Sequence, residues 1–264
     1  MTLGKQLVQR LVGDRTLYRL RFALLDDRPD DQFIAAFPRS GSTWLRTMLT
    51  NVMVEGADSN PEVFNAHIPG MSLSRLRGLR AMPSPRLLMT HSHWQPDIQP
   101  AVYVVRDGRD ALVSFYHYLT TRQGRSLSFE AFFDGYLAGR YGIPWHEHVE
   151  GWLGEGPAVL GDRLHVVHFE ALKADPASEV ERVLAFLGVE ADRGRVEAAV
   201  EAASLSNMRK IERRRRGEIS DPDASFYRGG ATQAASPLTP ALRERFERVS
   251  ARALELSQAA LALA

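Results

Sequence analysis

Apolar residues along the chain form two patterns: short continuous runs, and longer stretches in which they recur with helical spacing. The continuous runs predict buried strands, which occupy residues 33–37, 86–91, 101–107 and 164–170. The helical spacing predicts helices over residues 110–119, 128–139, 145–154, 177–188 and 240–262. Near-continuous apolar strands with helices between them indicate a parallel sheet covered on both faces. We therefore expect an α/β fold in which helices flank a central parallel sheet.

The first predicted strand leads into a turn of small and hydroxyl-bearing residues, and a helix begins directly after the turn. The sequence FIAAFPRSGSTWLRTMLTNV occupies residues 33–52, and Leu45, Met48 and Leu49 lie on one helical face. Glycine allows close approach of the backbone, hydroxyls and N–H groups at a helix N-terminus point at one place, and Arg39 adds a positive charge. This strand, loop and helix predict a site for an anion with several oxygens, in the first place a phosphate.

Composition narrows the class of protein. With 264 residues and 44% hydrophobic content the chain is long enough for one large core, and no break in composition divides it, so a single domain over 1–264 is expected. Lys and Arg number 33 against 32 Asp and Glu, and the net charge of +1 argues against nucleic acid as a partner. The absence of cysteine excludes disulfides, thiolate nucleophiles and cysteine-ligated metals, and we expect a cytoplasmic protein.

Three segments lie outside the predicted strands and helices. Residues 1–31 alternate basic and apolar residues without a continuous apolar core, which predicts a helical extension that packs on the body and no membrane insertion. A membrane-surface anchor is a less favoured alternative, because Asp14 and Asp26 interrupt the basic face. Residues 54–84 and 212–239 are rich in Gly, Pro, Ser and Arg, which predicts binding loops, and 212–239 is the expected lid.

Chemically distinctive residues follow each of the first three predicted strands. Residues 38–44 follow the first, Thr90 and His91 the second, and residues 106–114 the third. Ligands of parallel sheets bind beyond the carboxyl ends of the strands, so the three clusters are expected to meet. The usual kinase loop needs a lysine after its second glycine and a carboxylate for Mg²⁺, whereas here a serine follows Gly41. We expect a phosphate-binding unit related to that of P-loop kinases but without a metal.

Five segments in order resemble the signatures of PAPS-dependent sulfotransferases of the cytosolic type. The family's Tyr-Pro-Lys-Ser-Gly-Thr-Thr-Trp is similar to FPRSGSTW at 37–44, and its Arg-Asn/Asp-x-x-Asp-x-x-x-Ser-x-Tyr-His is similar to RDGRDALVSFYH at 106–117. Its Lys-Thr-His is similar to MTH at 89–91. Its Tyr-Gly…Trp…His-Val…Trp and Tyr-Glu-Asp-x-Lys-x-Asp-Pro segments are similar to residues 141–152 and 169–188. Each motif is weak, but five in one order make coincidence improbable.

The resemblance implies a cofactor, 3′-phosphoadenylyl sulfate (PAPS), with adenosine 3′,5′-bisphosphate (PAP) as its product. By resemblance, Arg106 and Ser114 would bind the 3′-phosphate, and Trp44 would stack on the adenine near Phe169 and Leu205. The 5′-phosphosulfate would be bound by the loop after the first strand, namely Arg39, Ser40, Gly41, Ser42 and Thr43.

The family's last signature, Arg-Lys-Gly-x-x-Gly-x-Trp, is matched only in part. Arg228, Gly229 and Gly230 stand nearly at the family distance from the final helix, and the resemblance implies that they bind the cofactor. The alternative 3′-phosphate clamp is the arginine run at 213–216. A solvated basic stretch is the ordinary explanation of such a run.

The resemblance also implies the catalytic groups. His91 would act as general base on the acceptor hydroxyl, and Arg39 would neutralise the charge that grows on the departing phosphate. A sulfuryl group in transfer carries less negative charge than a phosphoryl group, so cationic and amide donors can replace a metal. His93 is a rival base, but Thr90 and His91 match the family and His93 does not.

Four positions depart from the family pattern. Arg39 replaces a lysine, which keeps the charge but changes its geometry. Met89 replaces the lysine beside the catalytic histidine, so one cation fewer is expected near the transferred group. Phe169 replaces a tyrosine and Leu205 an aromatic residue, both on the adenine side.

The function predicted from the sequence is transfer of a sulfuryl group, in line, from PAPS to a hydroxyl of a small molecule or natural product. A small-molecule kinase and a non-catalytic nucleotide-binding protein are the alternatives. The identity of the acceptor, a phenol or another hydroxyl compound, and the oligomeric state do not follow from the sequence. Aromatic residues that are candidates for the acceptor pocket are Phe64, His67, Trp94, Tyr116, Tyr118, Tyr141 and Trp145.

Overall fold

The computed structural model describes residues 24–98, 100–216 and 236–262. Its sheet has four strands, β1 Gln32–Ala36, β2 Leu87–Thr90, β3 Ala101–Val105 and β4 Leu164–His168. The strands are all parallel, in the order β2-β1-β3-β4. The chain therefore runs from β1 to one neighbour and then crosses to the other, which makes the carboxyl end of β1 a topological switch point, where ligands bind in such sheets. The predicted α/β fold with a parallel sheet is confirmed.

Helices cover both faces of the sheet, and several begin at a residue whose side chain caps the first turn. Asn60, Asp107, Ser128, Asp175 and Thr239 each accept a hydrogen bond from a backbone N–H of the helix that follows. The helices are α1 Ser42–Met53, α2 Pro61–His67, α3 Leu76–Arg80, α4 Gly108–His117, α5 Phe129–Leu137, α6 Trp145–Val149, α7 Gly156–Leu160, α8 Phe169–Ala174, α9 Pro176–Phe186, α10 Arg193–Ala202, α11 Leu205–Arg216, α12 Pro240–Val249 and α13 Ala251–Ala262.

Successive residues of each strand point to opposite faces, so two cores form. On one face Phe33 and Ala35 pack with apolar residues of α4, α5 and α6. On the other face Ile34 and Ala36 pack with α1, α9 and α10. Both faces are thus buried, which explains why the strands appear in the sequence as unbroken apolar runs.

The predicted boundaries differ from the structure in several places. Residues 54–84 were expected to form a binding loop, but Asn60 and Pro61 start helix α2 and a second helix, α3, follows. The predicted helix 240–262 is two helices separated at Ser250. The predicted helix 145–154 continues beyond Val149 as a π-helical turn into α7. Helices α10 and α11 were missed, because charged residues and alanines obscure their short apolar stripes.

Several expectations fall partly or wholly outside the described residues. Of the predicted extension 1–31, the structure describes residues from 24 onward. Of the predicted lid 212–239, residues 212–216 form the end of α11 and 217–235 lie outside the described part of the chain. Arg228, Gly229 and Gly230 therefore lie outside it too. Within the described ranges, no helix is both long and apolar enough to cross a membrane.

Candidate active site

The turn after β1 has the backbone of a tight anion-binding loop. Arg39 and Gly41 both have positive φ, 74° and 98°, and the Ser40 N–H donates to the carbonyl oxygen of Phe37 at 3.2 Å. Helix α1 begins at Gly41, whose carbonyl oxygen accepts from the N–H groups of Trp44 and Leu45 at 2.9 and 3.2 Å. Because glycine offers no capping side chain, the N–H groups of the first turn of α1 are left for a ligand.

Gly41 is required for two independent reasons. Its φ of 98° is one that residues with a Cβ adopt rarely. A Cβ at this position would also lie 2.4 Å from Cδ2 of Phe169, at the start of α8. The close approach of Phe169 brings an aromatic ring to the loop of residues 38–41, which we call the phosphate loop.

Ser40 lies fully buried at the centre of the loop. Its relative exposure is 0%, and its Oγ has no hydrogen-bond partner among the residues that the structure describes. Buried hydroxyls normally have a partner, so an unpaired one beside a helix N-terminus indicates the place of a ligand oxygen.

Arg39, Arg106 and Ser114 meet beside this loop, as the sequence predicted. Nε of Arg39 donates to Oγ of Ser114 at 3.2 Å, and Nη1 of Arg106 donates to the carbonyl oxygen of Arg39 at 3.3 Å. Arg106 also pairs with Asp110 at 3.3 Å, and its buried Nε has no partner among the described atoms. The carboxyl ends of β1 and β3 thus bring together the guanidinium groups of Arg39 and Arg106 and the hydroxyls of Ser40 and Ser114. Ser42 and Thr43 lie in the adjoining first turn of α1.

The residues expected on the adenine side form a small aromatic cluster. The guanidinium of Arg106 lies over the ring of Phe169, 4.6 Å from its centroid. The rings of Trp44 and Phe169 are 6.2 Å apart and nearly perpendicular, and Nε1 of Trp44 donates to the carbonyl oxygen of Ala203 at 2.9 Å. Leu205, two residues after Ala203, is the first residue of α11 and is 39% exposed.

His91 extends from the end of β2 toward the end of β1. Its Nδ1 lies 2.6 Å from the carbonyl oxygen of Ala36. Because a carbonyl oxygen only accepts, Nδ1 carries the proton in the neutral ring and Nε2 is the basic nitrogen. Burial, together with the nearby charges of Arg46 and Arg39, lowers the pKa of His91 to about 4 against the opposing effect of the Ala36 carbonyl.

The rival histidine lies in a different environment. His93 is buried, and its Nδ1 is 3.1 Å from the carbonyl oxygen of Trp94. A Cβ at Gly151 would lie 2.9 Å from Cε1 of His93, so the ring packs tightly against the turn after α6. His91, by contrast, contacts the residue two positions before the phosphate loop.

Arg46 is a buried residue of this region that the sequence analysis missed. It is 6% exposed and lies on the inner side of α1, with its charge close enough to His91 to lower the pKa of the imidazole. The signal was present in the sequence, because Arg46 is the one charged residue of α1 and follows the apolar Leu45. A charge next to the apolar stripe of a buried helix is a functional indication that we did not use.

The carboxylates at the strand ends are engaged in structural contacts. Asp107 caps α4 and pairs with Arg109, and burial alone would raise the pKa of Asp107, but the Arg109 hydrogen bonds lower it. Glu170 pairs with His168 at 2.6 Å. Over the described ranges, no group of three or more His, Asp or Glu side chains is arranged to hold a metal ion.

The aromatic candidates for the acceptor pocket separate into two groups. Trp145 and Trp94 are 0% and 5% exposed and belong to the core, where Trp145 donates to the carbonyl oxygen of Arg106 at 3.2 Å. Tyr118 lies next to the site, with its ring centroid 5.4 Å from Cζ of Arg39. Phe64 lies against Arg46 at 5.2 Å.

The parallel sheet and the glycine turn that enters α1 define an α/β protein of the P-loop-like type. Residues 29–258 match the model of the sulfotransferase domain, and the chain belongs to the sulfotransferase family. It is 26% identical over 258 residues to human sulfotransferase 1C2, covering 86% of this chain and 84% of that protein. Human sulfotransferase 1E1 is 28% identical over 249 residues, with 84% and 82% covered.

Solved structures agree with this fold. A mouse sulfotransferase complexed with PAP has a TM-score of 0.68 at 19% identity and covers 91% of each chain. A retinol dehydratase in a complex with retinol and PAP has a TM-score of 0.59 at 19% identity, covering 90% of this chain and 82% of that one. The family resemblance and the fold predicted from the sequence are both confirmed.

Proposed function

We propose that this sulfotransferase transfers the sulfuryl group of PAPS to a hydroxyl of a small molecule, with His91 as general base. The observation that carries the proposal is the end of β1, where the buried hydroxyl of Ser40 and the carbonyl that orients His91 lie on one short segment. The family supports sulfuryl transfer, and PAP in two structural neighbours supports the choice of donor.

The residues present fit a phosphate-bearing donor. Ser40 Oγ and Arg106 Nε are buried polar atoms without partners among the described residues, and the positive φ of Gly41 turns the loop backbone into α1 beside them. Ser40, Gly41, Ser42, Thr43 and Arg39 would hold the 5′-phosphosulfate, and Arg106 and Ser114 the 3′-phosphate. Trp44, Phe169 and Leu205 would contact the adenine.

PAPS, when bound, supplies an activated sulfuryl group attached to a phosphate. Nε2 of His91 accepts the proton of the acceptor hydroxyl, and the bond from Nδ1 to Ala36 holds the ring in the tautomer that leaves Nε2 free to do so. With a pKa of about 4, His91 is neutral at physiological pH and ready to accept that proton. Arg39 offers charge to the phosphate end of the donor, and Ser114 fixes the direction of its guanidinium.

Thermal shift tests the donor and the two alternatives together. PAP is expected to raise Tm strongly, because a ligand that binds the folded state stabilises it, and more so the tighter it binds. ATP with Mg²⁺, and a short DNA, should each give little change. Equal stabilisation by ATP would favour a kinase. Mass spectrometry of a metabolite panel incubated with PAPS then tests transfer, and a product with one added sulfuryl group identifies the acceptor.

A further inference from the structure

Arg46 donates hydrogen bonds to groups in and just after one short helix, α2. Its Nη2 donates to the carbonyl oxygen of Phe64 at 3.4 Å, to Oδ1 of Asn65 at 3.1 Å, and to the carbonyl oxygen of Ile68. These groups lie in and just after the last turn of α2, the end of a helix at which a cation is favourable. Arg46 therefore holds the C-terminal end of α2 against α1.

The chain after α2 is in turn attached to strand β2. The Met89 N–H donates to the carbonyl oxygen of Pro69 at 2.9 Å, and the Met71 N–H donates to the carbonyl oxygen of Met89 at 2.8 Å. Gly70 thus pairs with Met89 in parallel fashion, two residues before His91. A continuous set of hydrogen bonds connects Arg46, the end of α2, the segment after it and the strand that carries the base.

The charged and titratable groups that face His91 come from three elements. Arg46 acts from α1, Arg39 from the phosphate loop and His148 from α6, while the carbonyl oxygen of Ala36 belongs to β1. Both arginines disfavour a charged imidazole. Met89, which stands where the family has a lysine, is buried among apolar residues and supplies no charge.

We propose that Arg46 is a positioning residue for His91. Arg46 holds the end of α2 and the following segment on β2, and it keeps a positive charge close to the imidazole. The inference rests on the proposed role of His91 as base. Arg46 supplies from helix α1 the cation that Met89 does not supply from strand β2. Its charge adds to burial in disfavouring the protonated imidazole, and its hydrogen bonds fix the strand end on which His91 stands.

The experiment measures the titration of His91 by NMR in the ligand-free protein with ring-labelled histidine. His91→Gln identifies the His91 signal among the eight histidines. Arg46→Gln removes the charge and is expected to raise the pKa of His91 above its value of about 4, whereas Arg46→Lys keeps the charge and should leave that pKa low. Arg195→Gln, the same change at an exposed position of α10, is the matched control and should have no effect.

Hydrogen exchange of the Met71 and Met89 amides supplies a second measurement. Neither lysine nor glutamine at position 46 bridges the oxygens that the guanidinium bridges, so both amides should exchange faster in both variants. An unchanged His91 titration in folded Arg46→Gln overturns the proposal. If Arg46→Gln does not fold, Arg46→Lys decides, and unchanged exchange at Met71 and Met89 overturns it.

The acid limb of kcat separates this inference from the proposed function. If the limb moves to higher pH together with the His91 titration in Arg46→Gln, both are supported. If the titration moves and the limb does not, the positioning role of Arg46 stands and the assignment of His91 as base is wrong.

Discussion

At the scale of single residues, the proposed general base His91 gives the most direct test of the chemistry. His91→Ala is expected to lower kcat by about 10²–10⁴-fold, the usual contribution of a positioned general base, while PAP affinity is retained. In the wild type, kcat should stay constant down to pH values well below 6.5, because the pKa of His91 is lowered to about 4 and the ring charges only there. Steady-state kinetics and PAP calorimetry on both proteins measure these effects.

His93→Ala is the control for that measurement. His93 is buried against Gly151 and away from the phosphate loop, so its removal should affect stability more than turnover. Normal turnover in folded His91→Ala together with an inactive His93→Ala would mean that the base has been assigned to the wrong histidine.

Arg39 and Ser114 share one hydrogen bond, but their substitution is expected to affect different quantities, kcat for Arg39 and PAP affinity for Ser114. Arg39→Ala should lower kcat by about 10²-fold with a smaller effect on PAP affinity, because its charge acts on charge that develops during transfer. Ser114→Ala should weaken PAP binding by about 10–100-fold, the loss of one hydrogen bond to a charged group. A KM effect alone in Arg39→Ala contradicts the leaving-group role.

At this scale the motifs predicted which residues meet, while the roles assigned to those residues stay predictions. Arg39, Arg106 and Ser114 are in contact beside the loop after β1, and His91 reaches the end of β1. Arg46 was missed, because its position depends on how α1 packs against α2, and tertiary packing of this kind has no short sequence signature.

At the scale of secondary-structure elements, β1 and β2 are joined at their amino ends by a buried ion pair. Nε of Arg86 donates to Oδ1 of Asp31 at 2.7 Å, and both side chains are 0% exposed. Arg86 also donates to the carbonyl oxygens of Leu79 and Asp26. The pair lies at the opposite end of the strands from the phosphate loop.

Asp31→Asn should therefore destabilise the protein without altering the site. Removal of one partner leaves a buried charge unpaired, which costs about 3–5 kcal/mol of unfolding free energy. Asp30→Asn, the same change at an exposed neighbour, should cost less than about 1 kcal/mol. Urea unfolding measures both, and PAP affinity of folded Asp31→Asn should equal that of the wild type. A loss below 1 kcal/mol in Asp31→Asn would contradict the role of the pair.

Secondary-structure elements could be predicted where burial produces a simple pattern of apolar residues in the sequence. The four strands appear as apolar runs because both faces of the sheet are covered, and their observed limits lie within three residues of the predicted ones. Helix α2 was not predicted, because Phe64 is the one buried residue among its seven and the helix depends on the Asn60 cap and on Arg46.

At the scale of the whole molecule, neutral histidines that are wholly or partly buried shape how stability depends on pH. Burial lowers the pKa of five of them below the ordinary 6.5, and they are His67, His91, His146, His148 and His165. Above about pH 6.5 neither state is protonated at these residues. Below it the unfolded chain takes up protons that the folded protein resists, so stability falls as pH falls toward the folded pKa values.

Urea midpoints between pH 7.5 and 5.0 test this dependence. The unfolding free energy is expected to decrease steadily below pH 6.5, and the slope should be smaller in His91→Gln, which removes one of the titrating groups. A midpoint that does not change between pH 7.5 and 5.0 would show that these histidines titrate normally in the folded protein. Below that range Asp107, whose pKa is also lowered, adds to the loss.

The attachment of α2 and the segment after it has a consequence for how this protein can diverge. Of the five hydrogen bonds described between this region and Arg46 or β2, four use main-chain atoms of the region. Every residue type has these main-chain groups, except that proline lacks the N–H. The region also lies along the outer edge of β2, an edge strand. Side chains of the region that do not contact Arg46 can therefore change by mutation, or be exchanged by grafting residues 54–84 from a relative, and we expect such changes to alter the acceptor range while the phosphate loop and the proposed base are kept.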